Sequence, residues 1–199
     1  MDLLNWDWGG SMRMMVSAGV ATAAVQVLMP MYRDRRARKK HAAYMAVRLA
    51  VTLESFSWSC ANLLQDNHNA ETPPDHEHPN WNHELPELAP YPDDSDGWRA
   101  IDSKLVGRVL GFRNKLHETK STIRNVIEFN EGALSWTLDE EAASRGLEAW
   151  RLGSDLRKTH SLEAVELEWD YPDFLQRQLD AAVTKKEEDR VRRRKLAAN

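Results

Sequence analysis

The sequence predicts an all-α protein: a single N-terminal transmembrane helix, then a cytosolic helical bundle with a long Pro-rich acidic loop. Three observations predict it. Residues 14–32 carry no charge. Outside the loop, apolar residues recur at helical spacing. Six of the eight prolines fall between Pro73 and Pro92, where regular backbone hydrogen bonding fails.

Composition narrows the class. The 199 residues are 42% hydrophobic and 29% charged, enough for one medium domain with appendages. A net charge of −4 argues against a nucleic-acid footprint over the whole chain, which needs a basic excess. The single cysteine, Cys60, excludes a disulfide framework and a thiolate-rich zinc site. It lies in an apolar stretch and reads as a small core residue.

The first element is residues 14–32 (MMVSAGVATAAVQVLMPMY), following a short N-terminus, 1–13, that is expected on the non-cytosolic side. A helix of that length measures roughly 28 Å, near the hydrocarbon thickness of a bilayer. Trp6, Trp8 and Tyr32 flank it as interfacial aromatics would. Six basic residues and one acid follow at 33–40. By the positive-inside rule that end faces the cytoplasm, which predicts an inner-membrane protein with its C-terminal part cytoplasmic. A cleaved signal peptide fits less well, because the segment before it is acidic. A helix buried in a soluble bundle and a helix lying in the interface are the other readings. Ser17/Ala21 and Gly19/Ala23 are small-residue pairs of the kind that let membrane helices approach.

Residues 33–66 supply a basic juxtamembrane segment and the first bundle helix. From Arg38 to Gln65 there is no Pro or Gly, and Met45, Leu49, Leu53, Phe56, Cys60 and Leu63 form one face. With Pro30 as a kink, this helix and the apolar segment can be continuous. Residues 98–184 hold the remaining bundle helices. Asp102 caps one whose stripe is Leu105, Val109, Phe112, Leu116, Thr119, Ile123 and Val126. Gly107 and Gly111 in it would admit a close neighbour, and Asn130 and Gly132 would end it. Thr137 and Glu140 fit a capping box opening the next helix, with Ala143, Leu147 and Trp150 inward and Leu156 beyond Gly153. Val165–Trp169 alternates and reads as an extended connector or part of a helix. Pro172 opens a last helix with Phe174, Leu175, Leu179, Ala182 and Val183 on its apolar face. Residues 185–199 form a charged tail. Four such helices predict a bundle.

The acidic loop, 67–97, holds four histidines and eight acids without a lysine or arginine. His76, His78 and His83 are the candidate ligands for a divalent metal, although no metal-site spacing is matched. No cofactor is otherwise implied. Trp81, Leu85, Leu88, Tyr91 and Trp98 punctuate the acidic background as anchors, for the chain's own bundle first or for a partner. Trp81, Trp98 and the tail residues Arg192, Arg193 and Arg194 are the candidate interaction residues. Phosphate loops, nucleophile elbows and di-iron spacings are absent, and this leans against an enzyme. The expected function is therefore a membrane-anchored, non-catalytic interaction or scaffold protein at the cytoplasmic face. Its partners would be the lipid bilayer through 14–32 and another membrane-associated protein or itself, with nucleic acid not expected. The alternative is a soluble helical-bundle oligomer binding a metal or small ligand through the His-rich loop.

Overall fold

In the computed structural model of the chain, the backbone is described over residues 8–70, 82–129 and 134–197. Side chains are described at Met29 and over 31–70, 82–129 and 136–195. Five helices follow one another: α1 (Trp8–Asn69), α2 (Ser95–Ala100), α3 (Ser103–Phe129), α4 (Leu134–Thr159) and α5 (Tyr171–Ala197). No strand occurs among the described residues. The chain is all-α, as the periodicity predicts.

The chain divides into two units, 1–41 and 42–199. In the first, α1 runs through Pro30 without a break, and residues 31–41 are exposed. Among the described residues no helix is long and apolar enough to cross a membrane. The expected span, 14–32, is mostly residues whose side chains lie outside those described, so it finds no support here.

The second unit is the bundle. Met45, Leu49, Leu53, Phe56, Cys60 and Leu63 of α1 are all buried, the face the spacing predicts. Phe56 meets Phe112 of α3 edge-on, with ring centroids 5.6 Å apart. In α3, Leu105 through Ile123 of the predicted stripe are buried and Val126 packs against the core. Asp102 caps α3, accepting from the backbone of Lys104 at 3.0 Å and Leu105 at 3.3 Å. Asp170 does the same for α5, accepting from the Asp173 backbone at 3.1 Å, with Pro172 in the first turn.

Two local expectations are corrected. Gly107 and Gly111 face open space, and a Cβ at either would touch nothing within 4 Å. The close approach lies on α4. A Cβ at Gly146 would sit 2.9 Å from Leu175 Cδ1 and 3.0 Å from Cys60 Cβ, and one at Gly153 would sit 3.1 Å from Glu54 Cγ. Because Gly146 lies by Cys60 and Gly153 by Ala50 and Glu54, α4 runs antiparallel to α1. Thr137 does not cap α4, which begins at Leu134; its buried hydroxyl has no partner among the described residues. Leu156, beyond Gly153, is buried in the same helix, which continues to Thr159. Asn130 and Gly132 lie outside the described residues.

The segment 160–170 is the extended connector of the two readings offered by Val165–Trp169, with half-buried and exposed residues alternating along it. Residues 82–94 lie as a strap on the bundle. Leu85 is buried, and Leu88, Tyr91 and Trp98 pack against the core. Tyr91 donates its hydroxyl to the Val109 carbonyl at 3.0 Å, and Arg113 stacks 4.6 Å from the Tyr91 ring centre. Asn67 and Asn82 exchange two hydrogen bonds, at 2.9 and 2.8 Å, and join the strap to the end of α1. The anchors of the acidic loop that are described thus dock on the chain's own bundle.

Candidate interaction face on helix α1

A helix that packs one side on a bundle normally shows charge on the other. Within residues 44–64 of α1 the only charged side chains are Arg48 and Glu54. Glu54 is buried in an ion pair with Arg157. Arg48 is therefore the single charge on the outward side of this stretch, and its guanidinium lies 5.7 Å from the Tyr44 ring centre. The outward side instead presents Tyr44, Val51 and Trp58, which are 59%, 50% and 50% exposed.

These three recur every seven residues. Each step falls about 20° short of two full turns, so they form one stripe along the helix. By helical phase Arg48 and Ser55 lie on the same side, opposite the buried row of Leu49, Leu53, Phe56 and Cys60. Val47, half-buried, borders the stripe. Large aromatic side chains held on a rigid helix carry most of the energy in protein interfaces. Chemically the face can bury apolar area and stack a guanidinium on an indole.

The residues singled out in the sequence fall elsewhere. His76, His78 and Trp81 lie outside the described residues. His83 is half-buried and its enclosed Nδ1 has no partner among the described residues. It borders a cavity of about 220 Å³ between the strap and α3, with Glu84, Glu87, Lys120, Ile123 and Arg124. Lys120 donates to Glu87 and holds that carboxyl below its ordinary value. Small-molecule sites usually enclose roughly 300–1,000 Å³, so this cavity is small for one. Among the described residues no three His, Cys, Asp or Glu side chains gather as a metal site would need. Trp98 is half-buried, with its indole donating to the Pro92 carbonyl at 3.0 Å and its ring meeting Tyr91 edge-on. The fold itself engages it. Arg192, Arg193 and Arg194 are exposed on α5. Comparison of the chain with protein families, curated proteins and solved structures gave no match.

Cys60, Glu140 and Glu141 are engaged within the fold. Burial pushes the Cys60 thiol far up, which removes its nucleophilic form. Glu140 accepts from Lys186 at 2.5 Å, tying α4 to α5. Glu141 accepts from Thr119 at 3.3 Å, tying α4 to α3. Burial lowers the His160 imidazole's affinity for a proton, and its enclosed Nε2 has no partner among the described residues. The α1 stripe is the feature that sequence reading missed. Its signal is an absence of charge: from 49 to 65 the only charged residue is Glu54.

Proposed function

We propose that the chain is a non-catalytic helical interaction protein whose outward α1 face is the docking surface. The supporting observation is the stripe of Tyr44, Val51 and Trp58 on a side that carries one charge. Covering such a stripe yields about 25 cal/mol for each Å² of apolar surface removed from water. A photo-crosslinking residue placed at Val51, with Lys104 on α3 as the exposed control, tests the reading in cells making the full chain. Adducts at position 51 and none at 104 are expected. Absence of adducts at both positions would reject the docking role.

A second reading places the interaction role at the cytoplasmic face of a membrane, anchored by residues 14–32. It is supported by the 19-residue uncharged stretch and the six basic residues after it, which are exposed on α1. Fractionation of the full chain tests it. A spanning segment resists both high-salt and alkaline-carbonate washes, whereas release by salt would remove the anchor from the account.

A further inference from the structure

We infer that the end of α5, residues 192–195, is a contact for a surface of anionic lipid headgroups. It uses neither the α1 face nor residues 14–32, and it depends on neither reading above.

The helix ends of the bundle set the tip apart. Glu140 of α4 faces Lys186 of α5, and Arg151 faces Gln176, so the two helices run antiparallel. By that register Arg192 lies level with Leu134, where α4 begins. Helix α3 is also antiparallel to α4, through Arg108 with Asp155, Lys115 with Glu148 and Thr119 with Glu141. Leu134 is therefore level with the last turn of α3, which ends at Phe129. On the register set by Gly146 and Cys60, α1 ends at Asn69, short of the same level. Helix α5 continues to Ala197. From Arg192 onward it extends past the ends of the other long helices.

The extension is cationic on every side. Residues 190–195 read RVRRRK, five cations and no acid. Successive helical residues turn by about 100°, so 192–195 point to four sides of the helix. All four are exposed, and none has an ion-pair partner among the described residues. Arg190 pairs with Glu187. The core-facing row of Leu175, Leu179 and Ala182 continues by phase through Lys186 to Arg193. Lys186 still meets the bundle at Glu140, whereas Arg193 is exposed. The helix dipole favours cations in the last turn. It does not account for Arg190, Arg192 and Arg193, which precede that turn.

Arginines on a rigid helix recognise phosphate through bidentate hydrogen bonds. A lipid surface fits this tip better than nucleic acid. The run holds no aromatic side chain to stack a base and no amide side chain to read one. Glu187, Glu188 and Asp189 lie directly behind it. A nucleic-acid groove running along α5 would bring these acids against phosphates, whereas a surface met end-on leaves them behind. Each basic residue near an anionic lipid surface strengthens binding about fivefold.

Co-sedimentation of the full chain with vesicles tests the inference. One set is phosphatidylcholine alone and the other an equal mixture of phosphatidylcholine and phosphatidylserine. The quantity read is the affinity for the mixed vesicles relative to the neutral ones, so any insertion of residues 14–32 cancels. In the Arg192→Gln, Arg193→Gln, Arg194→Gln triple variant that preference should fall on the order of a hundredfold, with helicity unchanged. A second triple variant, Arg99→Gln, Lys104→Gln, Arg124→Gln, removes the same charge from exposed positions elsewhere on the bundle and should change the preference only about twofold. Equal losses in the two variants would mean that net charge is sensed and would overturn the inference. A preference that survives in the α5 variant overturns it as well. If that variant keeps vesicle binding but loses binding to a DNA duplex, the partner is nucleic acid and the lipid assignment is rejected. Release from the mixed vesicles by inorganic phosphate at constant ionic strength would make the ligand free phosphate and reject the surface.

Discussion

The carboxylate of Glu54 accepts from both Nε and Nη2 of Arg157, at 2.6 and 2.8 Å, across 103 positions of chain. Arg157 also donates Nη1 to the Glu163 carbonyl at 2.9 Å. One guanidinium thus joins α1, α4 and the connector to α5. The side chains are only 9% and 17% exposed, so each charge depends on the other for its solvation. Removing one partner from a buried pair costs about 3–5 kcal/mol. Glu54→Leu and Arg157→Met should each destabilise by that order in urea unfolding. The double variant should lose clearly less than the two singles added, because no stranded charge remains. A strictly additive double variant would show that the pair is not coupled.

The glycines divide into two classes with opposite expected outcomes. At Gly107 and Gly111 a methyl group meets nothing, so alanine there should stabilise α3 by about 0.5–1 kcal/mol each through the unfolded chain's lost freedom. At Gly146 the same methyl group meets Cys60 Cβ, which cannot swing aside. Gly146→Ala should therefore cost about 1–3 kcal/mol by overpacking. Thermal unfolding of the three single variants checks the signs. A stabilising Gly146→Ala would mean that α1 and α4 are not in close contact.

Helical phase explains which parts of this fold were legible in the sequence. The inward faces of α1 and α3 repeat at three and four residues, so burial followed directly from position. The same phase places Gly107 two residues from both Leu105 and Val109, off the stripe and outward. A glycine pair one turn apart signals close packing only when it lies on the buried side. Ala142, Gly146, Ala149 and Gly153 do recur at spacings of four, three and four. That small-residue row was readable as the seat of a neighbouring helix. The Thr137 capping box failed because the pattern of an N-cap is short and also occurs inside helices, here one turn into α4.

The site was less legible because its signal is negative. Attention goes to the acidic loop, where histidines and aromatics are conspicuous. Yet Leu85, Leu88, Tyr91 and Trp98 are engaged by the bundle that the loop crosses. Large apolar residues in a polar strap hold the strap down, since leaving it free would expose them. Tyr44, Val51 and Trp58 lie in a stretch read for its inward face alone; helical phase sets them opposite that face, and the structure leaves them exposed.

Asp139 lies in the second turn of α4. Burial raises its carboxyl above the ordinary value of 3.8, against the pull of Lys185 and His68. The folded state then takes up the Asp139 proton more readily than the unfolded state, so the charged form at neutral pH costs stability. Asp139→Asn removes that charge without changing shape. The variant should melt higher than the natural chain at pH 7, and the gap should close as the pH falls toward the ordinary carboxylate range. A gap of the same size at both ends would show that the charge is not the cause.

Tyr91 and Tyr171 set the alkaline limit. Burial pushes both phenols up to about 12 from an ordinary value of 10.0; Arg113 opposes the shift at Tyr91, while at Tyr171 Glu54 reinforces it and Arg157 opposes it. A phenol whose folded value exceeds its unfolded one stabilises the fold fully below the unfolded value. That contribution is lost as the pH rises through the folded value. The window here is therefore pH 10 to 12. Two of the chain's four tyrosines should form phenolate in that window only as helicity disappears. Tyr91→Phe should remove part of the pH dependence and, through its lost bond to the Val109 carbonyl, lower stability at neutral pH by about 1 kcal/mol. Phenolate absorbance followed together with circular dichroism decides the matter. Ionisation of all four tyrosines near pH 10 with the helices intact would mean that the strap and the connector do not shield these two side chains.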